Sequence, residues 1–180
     1  MSKAILMSIN PRWCELIASG KKTIEIRKTI PKDLTPPFKV YIYMTAGNAV
    51  YPVTINGAPY TCHNNGGKVV IGEFVCRNID TIDMIYAENL RQANSEINRI
   101  LQDSCLSAYE LLCYLNRDYV DKNGYAYNIS DLVIYERAKS LRKFHRPCDS
   151  KCDGLCFEGV NCCRILTRPP QSWCYVEEVE

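Results

Sequence analysis

The sequence predicts an α+β protein, a small, mostly antiparallel β-barrel with helices at its rim. Three observations lead there. Strand-like segments follow one another through the middle of the chain without intervening helices, which a doubly wound parallel sheet does not allow. Helical spacing is confined to one short segment after the first strand and to two segments between 87 and 116. Turn signals, Asn56-Gly57 and the NNGG run at 64–67, separate β-prone stretches at hairpin spacing. At 180 residues, with no internal repeat or low-complexity segment, one domain covers 1–180. A cysteine-rich insertion at 145–164 precedes its last strand.

Each element has a local reason. KAILMSI (3–9) is apolar and β-prone. Asn10 and Pro11 then supply an N-cap and a first helical residue. The helix RWCELIAS presents Trp13, Leu16 and Ile17, and Gly20 closes it. TIEIRK (23–28) alternates apolar and polar residues, the period of a half-buried strand. FKVYIYMTA (38–46) is a strong strand, AVYPVTIN another, and KVVIGEFVCRNIDTI the best in the chain. Residues 87–103 have helical spacing, with Leu90, Ala93, Ile97, Ile100 and Leu101 available for a buried stripe. SAYELLCYLN (107–116) is a second such segment, where Ser107 and Glu110 form a capping box. DLVIYER (131–137) returns to strand, and Trp173, Tyr175 and Val179 belong to the last one.

Composition narrows the function. A hydrophobic fraction of 47% and a charged fraction of 23% are those of a globular protein with a real core. With 22 basic and 20 acidic residues there is no molecule-wide cationic field, so any contact with nucleic acid needs a local patch. The opening MSKAILMSINPRW is too weakly apolar for a signal peptide, and no run is long enough to span a membrane. A cytoplasmic protein is expected.

One local patch stands out. GKKTIEIRK (20–28) holds four cations and one carboxylate. If Ile24 and Ile26 face the core, Thr23, Glu25 and Arg27 share the opposite face, beside a helix end carrying Lys21 and Lys22. From spacing alone this is either an edge strand with a solvated face and a surface ion pair, or the floor of a site for something anionic.

The residues SINP, a short helix and then Gly-Lys-Lys-Thr-Ile-Glu-Ile-Arg resemble the opening of ASCH domains, members of the PUA-like superfamily. YAYNISDLVIYERAKSL (125–141) and the closing RPPQSWCYVEE (168–178) agree with it, and similar phrases end ASCH proteins of bacteria and their phages. The middle, roughly 47–120, matches only in the order of its elements. The resemblance implies a PUA-like barrel whose cleft accepts nucleic acid, RNA in the first place, or a modified nucleoside, in a protein of phage or prophage origin. Gly20, Lys22 and Arg27 match the cleft pattern Gly-x-Lys-x-x-x-x-Arg. Lys and Arg suit phosphate or a base edge. Lys21, Lys22, Glu25 and Arg27 are the ligand-binding candidates, with Trp173 and Tyr127, and also Trp13, as stacking surfaces. Gln171 and Ser172 are further cleft candidates.

Two other classes stay open. Some small ASCH proteins are acetylcytidine amidohydrolases that use a lysine, a threonine and a glutamate, and others are ribonucleases. Here Lys22 matches the lysine, but Glu25 stands at the threonine position with Thr23 beside it. The downstream glutamate has three candidates, Glu88, Glu96 and Glu110. In a hydrolase, Lys22 and Glu25 would be the catalytic pair, Glu25 as base for a water and Lys22 at the oxyanion. His63 and His145 read as loop residues. The third class is a phage protein that blocks a host defence factor through a surface patch, and this would tolerate loss of Lys22 and Arg27.

Eleven cysteines cannot all pair. Cys14, Cys62, Cys76, Cys105 and Cys113 are scattered among apolar neighbours, where small thiols are buried. Cys148, Cys152, Cys156, Cys162 and Cys163 fall within sixteen residues, with His145 just upstream. Their spacing admits a structural zinc on Cys148, Cys152, Cys156 and Cys162, or a loop of free thiols.

Overall fold

The computed structural model describes residues 2–46, 53–55, 57–60, 68–83, 95–115, 123–147 and 164–179. The chain runs β1 (Lys3–Ile9), α1 (Pro11–Ala18), β2 (Ile24–Arg27), β3 (Phe38–Met44), β4 (Val53–Ile55), β5 (Ala58–Tyr60), β6 (Val69–Ile82), α2 (Ser95–Ser104), α3 (Ala108–Leu115), β7 (Gly124–Ser140) and β8 (Trp173–Glu177). Six strands form one sheet in the order β2-β7-β6-β3-β1-β8, while β4 and β5 make a separate antiparallel pair. Within the sheet β1 and β3 are parallel and every other ladder is antiparallel. The fold class is thus the α+β arrangement expected from sequence.

The barrel is not closed by backbone. Among the described residues no ladder joins β2 to β8, the two edges of the sheet. Side chains cross the gap instead. Arg27 Nη2 donates to Ser8 O of β1 at 2.6 Å, and Trp173 Nε1 to Thr29 Oγ1 at 3.0 Å. The Tyr175 hydroxyl accepts from the backbone N–H groups of Lys32 and Asp33 at 2.9 and 3.2 Å. Strand β2 is only four residues long, and polar tips of side chains bridge the seam beside it.

Local signals account for the first third of the chain. Asn10 caps α1 by accepting from Arg12 N at 3.1 Å, with Pro11 at the first helical position. Gly20 sits at φ +72°, the left-handed conformation a helix exit favours, and the amides of Lys21 and Lys22 both return to Leu16 O. Lys22 is thereby turned back toward the strand that follows.

Strands β6 and β7 run 14 and 17 residues and pair along most of their length, broken by bulges. The 131–137 segment expected as a strand is only the middle of β7. Gly72 lies at one bulge, where a Cβ would stand 2.4 Å from Val133 O, so only glycine lets the two backbones approach that closely.

The second helical segment begins, among the described residues, at Ser95, so Leu90 and Ala93 fall outside them. Ile97 and Ile100 are buried as the stripe requires. The capping box of α3 is present. Glu110 N donates to Ser107 Oγ at 3.2 Å, and Ser107 N donates to Glu110 Oε2 at 2.9 Å. Helices α2 and α3 cover Ile24 and Ile26 of β2 through Ile100, Leu111 and Leu115. A second cluster under the sheet gathers Tyr41, Tyr43, Leu141, Phe144, Leu166 and Val176.

Residues 144–146 and 164–166 lie side by side. Leu166 N donates to Phe144 O at 2.9 Å, Arg146 N to Arg164 O at 2.8 Å, and His145 is bridged to Ile165. Glu177 N also donates to His145 O, which ties this small ladder to the end of β8.

Candidate functional site

Strand β2 is an edge strand buried on both faces. Alternation sends Ile24 and Ile26 one way and Glu25 and Arg27 the other, and both sides are covered. Lys22, Glu25 and Arg27 are 2%, 4% and 8% exposed. The solvated face and the surface ion pair that spacing allowed are therefore excluded.

Glu25 is the centre of this buried cluster. Its Oε1 lies 2.9 Å from Arg27 Nη1 and its Oε2 lies 3.3 Å from Lys22 Nζ. The two cations are also held from behind. Lys22 Nζ donates to Ser104 O at 2.7 Å, and Arg27 Nη2 to Ser8 O. Ser104 is the last residue of α2, so its carbonyl is one of those a helix end leaves unpaired, at the negative end of the macrodipole. An ammonium fits that place. The ring of Trp13 lies 5.0 Å below Lys22 Nζ. Within this cluster two buried side-chain atoms have no hydrogen-bond partner. They are Glu25 Oε2, whose contact with Lys22 is an ion pair without hydrogen-bond alignment, and Arg27 Nε. Beneath them, burial and then the Glu25 charge push the Cys14 thiol well above its ordinary value.

The three residues form the floor of a cavity of about 500 Å³. Trp13 of α1 stands on one side, and Tyr109, Glu110, Cys113 and Tyr114 of α3 on the other. Ser8, Asn10, Thr45, Gln171 and Ser172 complete the polar rim. Tyr109 is 77% exposed and its ring is open to solvent, while Tyr114 is 37% exposed with the Lys28 ammonium 5.6 Å over its ring. Arg12 and Glu110 approach to 3.7 Å across the mouth, an exposed pair that contributes little. The Glu110 carboxyl is held below its usual range, first by the Ser107 backbone N–H and then by the Ser107 hydroxyl.

The cavity thus brings together Lys22, Glu25, Arg27 and Trp13, with Gln171 and Ser172, and omits other residues expected there. Lys21 is exposed and does not line it. Tyr127 is fully buried, with its hydroxyl donating to Thr29 O at 2.8 Å, so it has no free face for a base. Trp173 packs edge-on against Tyr175 and spans the gap between the sheet edges, outside the cavity lining. Thr23 is exposed, and its amide donates to Asp103 O. Of the three glutamates considered, Glu110 lines the cavity, Glu96 does not, and Glu88 lies outside the described residues, as do His63 and the cysteines from Cys148 to Cys163. Among the described residues no group of His, Cys, Asp and Glu is placed to hold a metal ion.

Sequence reasoning missed Ser8, Asn10, Thr45 and, Glu110 apart, the α3 wall as site residues. For α3 a signal existed. Tyr109, Cys113 and Tyr114 lie off the Leu111–Leu115 stripe, and a large exposed aromatic on the polar side of a short helix is unusual.

No family model matches the sequence, and no curated protein matches it. Solved structures do. The crystal structure of ASCH from Zymomonas mobilis has 22% identity and a TM-score of 0.52, covering 77% of this chain and 73% of that one. A tyrosine-to-phenylalanine mutant of the Zymomonas protein has 23% identity and 0.52, covering 78% and 77%. A serine-to-alanine mutant has 22% and 0.50, covering 77% and 74%. At this identity the likeness shows the fold, and the chain has an ASCH-like fold. No helix among the described residues is long and apolar enough to cross a membrane.

Proposed function

We propose that the protein binds single-stranded nucleic acid by taking one unpaired base, natural or modified, into the cavity above Lys22, Glu25 and Arg27. The observation that carries this reading is the pairing of a buried polar floor with exposed tyrosine rings at the mouth. A volume of about 500 Å³ is in the range of sites for small organic ligands. The cations of the floor are largely engaged by Glu25 and by backbone carbonyls, which makes it a poor socket for a bare phosphate. A base edge carries a donor next to an acceptor, which suits a lining that mixes Lys22 and Arg27 with Glu25, Gln171 and Ser172. Tyr109 and Tyr114 offer π-faces to that base or its neighbours.

The test uses these rings, because they can be removed without disturbing the core. Tyr109→Ala and Tyr114→Ala are each expected to weaken binding of single-stranded RNA and DNA oligomers by about 1–3 kcal/mol, roughly 5- to 150-fold in Kd. Fluorescence anisotropy reads this directly. Wild type that binds no oligomer, or tyrosine variants that bind like wild type, would reject the reading.

One observation favours a second reading, hydrolysis of an acylated or phosphodiester substrate: Glu110 shares the cavity with Lys22. Against it, Glu25 replaces the threonine of the amidohydrolase pattern, and Thr23 is outside the cavity. Cleaved or deacetylated product in the binding samples, lost with Glu110→Gln, would establish it.

The zinc reading rests on four or more thiolate ligands close together in sequence with Gly and Asp turns between them, a donor set that suits a closed structural site, although the spacing is not that of Cys-x2-Cys knuckles. Cys148, Cys152, Cys156 and Cys162 would hold the ion as a staple. Purified protein is expected to carry about one zinc per chain by mass spectrometry of the metal, falling in Cys148→Ser/Cys152→Ser. Metal-free protein whose thiols all titrate would leave the segment a loop of free cysteines.

A further inference from the structure

A second cavity, again of about 500 Å³, opens next to the first, and Thr45 lines both. It is built from Tyr43 and Thr45 at the end of β3, Lys68 just before β6, Ser140 and Arg142 at the end of β7, and Thr167. Its chemistry differs from that of the first. The lining holds two cations and four hydroxyls but no carboxylate. Tyr43 is 2% exposed, so no open aromatic face is offered. Neither Lys68 nor Arg142 is in an ion pair among the described residues, and both are exposed. Ser140 Oγ accepts from Arg142 N at 3.4 Å, which leaves its own O–H to donate outward.

Lys68 is also held in an unfavourable backbone state. Its φ is +70°, a conformation glycine or asparagine adopts at less cost, and its amide donates to Met44 O at 2.7 Å. Strain of this kind at a lysine facing a polar cavity is a pattern of binding sites.

We propose that this second cavity seats the backbone phosphate of the nucleotide next to the base held in the first, so that a single strand runs from the Lys22 floor past Thr45 to Lys68 and Arg142. The inference rests on the base-binding reading and extends it. Lys, Arg, Ser, Thr and Tyr are the side chains that hold phosphate and sugar in nucleic-acid complexes, without reading sequence. The division of labour is then physical. The carboxylate-containing floor discriminates among bases, and the carboxylate-free cavity supplies charge.

The two roles separate in salt. Each phosphate neutralised on a single strand adds about 0.7 to the steepness of log K against log salt. Lys68→Gln/Arg142→Gln, which removes both cations from that one phosphate, is therefore expected to flatten the slope for a short single-stranded RNA or DNA oligomer by about 0.7. Arg142→Lys should retain the wild-type slope, and Tyr109→Ala should weaken binding at every salt concentration with its slope unchanged. Oligomer binding that keeps its full slope in the double variant would overturn this inference while leaving the first cavity as a base site. A wild type that binds no oligomer would overturn both.

Discussion

Glu25→Ala is expected to lower the stability of the protein by about 3–5 kcal/mol, the range for removing one partner of a buried ion pair. The loss comes less from the missing contacts than from what is left behind. Lys22 and Arg27 would face each other with no anion between them, in a place where both are almost fully covered. The carbonyls of Ser104 and Ser8 still accept from them, but a carbonyl cannot cancel a charge. Urea unfolding should show the midpoint shifted down with little change in slope. Replacing all three residues together, Lys22→Met, Glu25→Leu and Arg27→Met, should recover much of the loss while abolishing ligand binding, because an apolar trio leaves no unpaired charge. A Glu25→Ala protein that unfolds at the wild-type urea concentration would mean that water reaches the floor and solvates both cations.

Phe144→Ala should cost a similar amount, about 3–5 kcal/mol, by a different route. Phe144 is fully buried and meets the Tyr41 ring edge-on at 4.8 Å, within the cluster that also holds Leu141, Leu166 and Val176. Truncation leaves a cavity and removes an aromatic pair. The Tyr41 hydroxyl exchanges hydrogen bonds with Val179, so that ring is pinned and cannot move over to fill the space. Phe144→Leu, which keeps most of the volume, should cost much less. If alanine and leucine at this position unfold alike, the site collapses freely and the cavity argument fails.

The first third of the fold was legible because its signals are local. Asn10, Pro11 and Gly20 state where α1 begins and ends, and the alternation in IEIR states which side chains share a face. That Lys22, Glu25 and Arg27 belong together was readable in the same way. Their burial was not. It depends on α2, whose Ser104 carbonyl meets Lys22 from 82 residues away, and on Ser8 across the open seam of the sheet. Tyr127 shows the opposite failure. An aromatic in a polar, strand-like segment reads as half-exposed, yet β7 is long enough to put it inside the main core beside Phe38. Trp173 was read as a stacking surface from its place in the tail, whereas the unclosed seam uses it as a brace. The α3 wall escaped because a helix's polar side becomes a binding surface only through where the helix docks, and docking is set by Ile24, Ile82 and Ala126 on three separate strands.

The ladder that joins 144–146 to 164–166 changes how the intervening residues bear on the rest. The chain departs and returns through neighbouring, hydrogen-bonded backbone, anchored on one side by Phe144 and on the other by Leu166. The described backbone on either side of that stretch is therefore already fastened together, so a change in its length adds little entropic cost of closure.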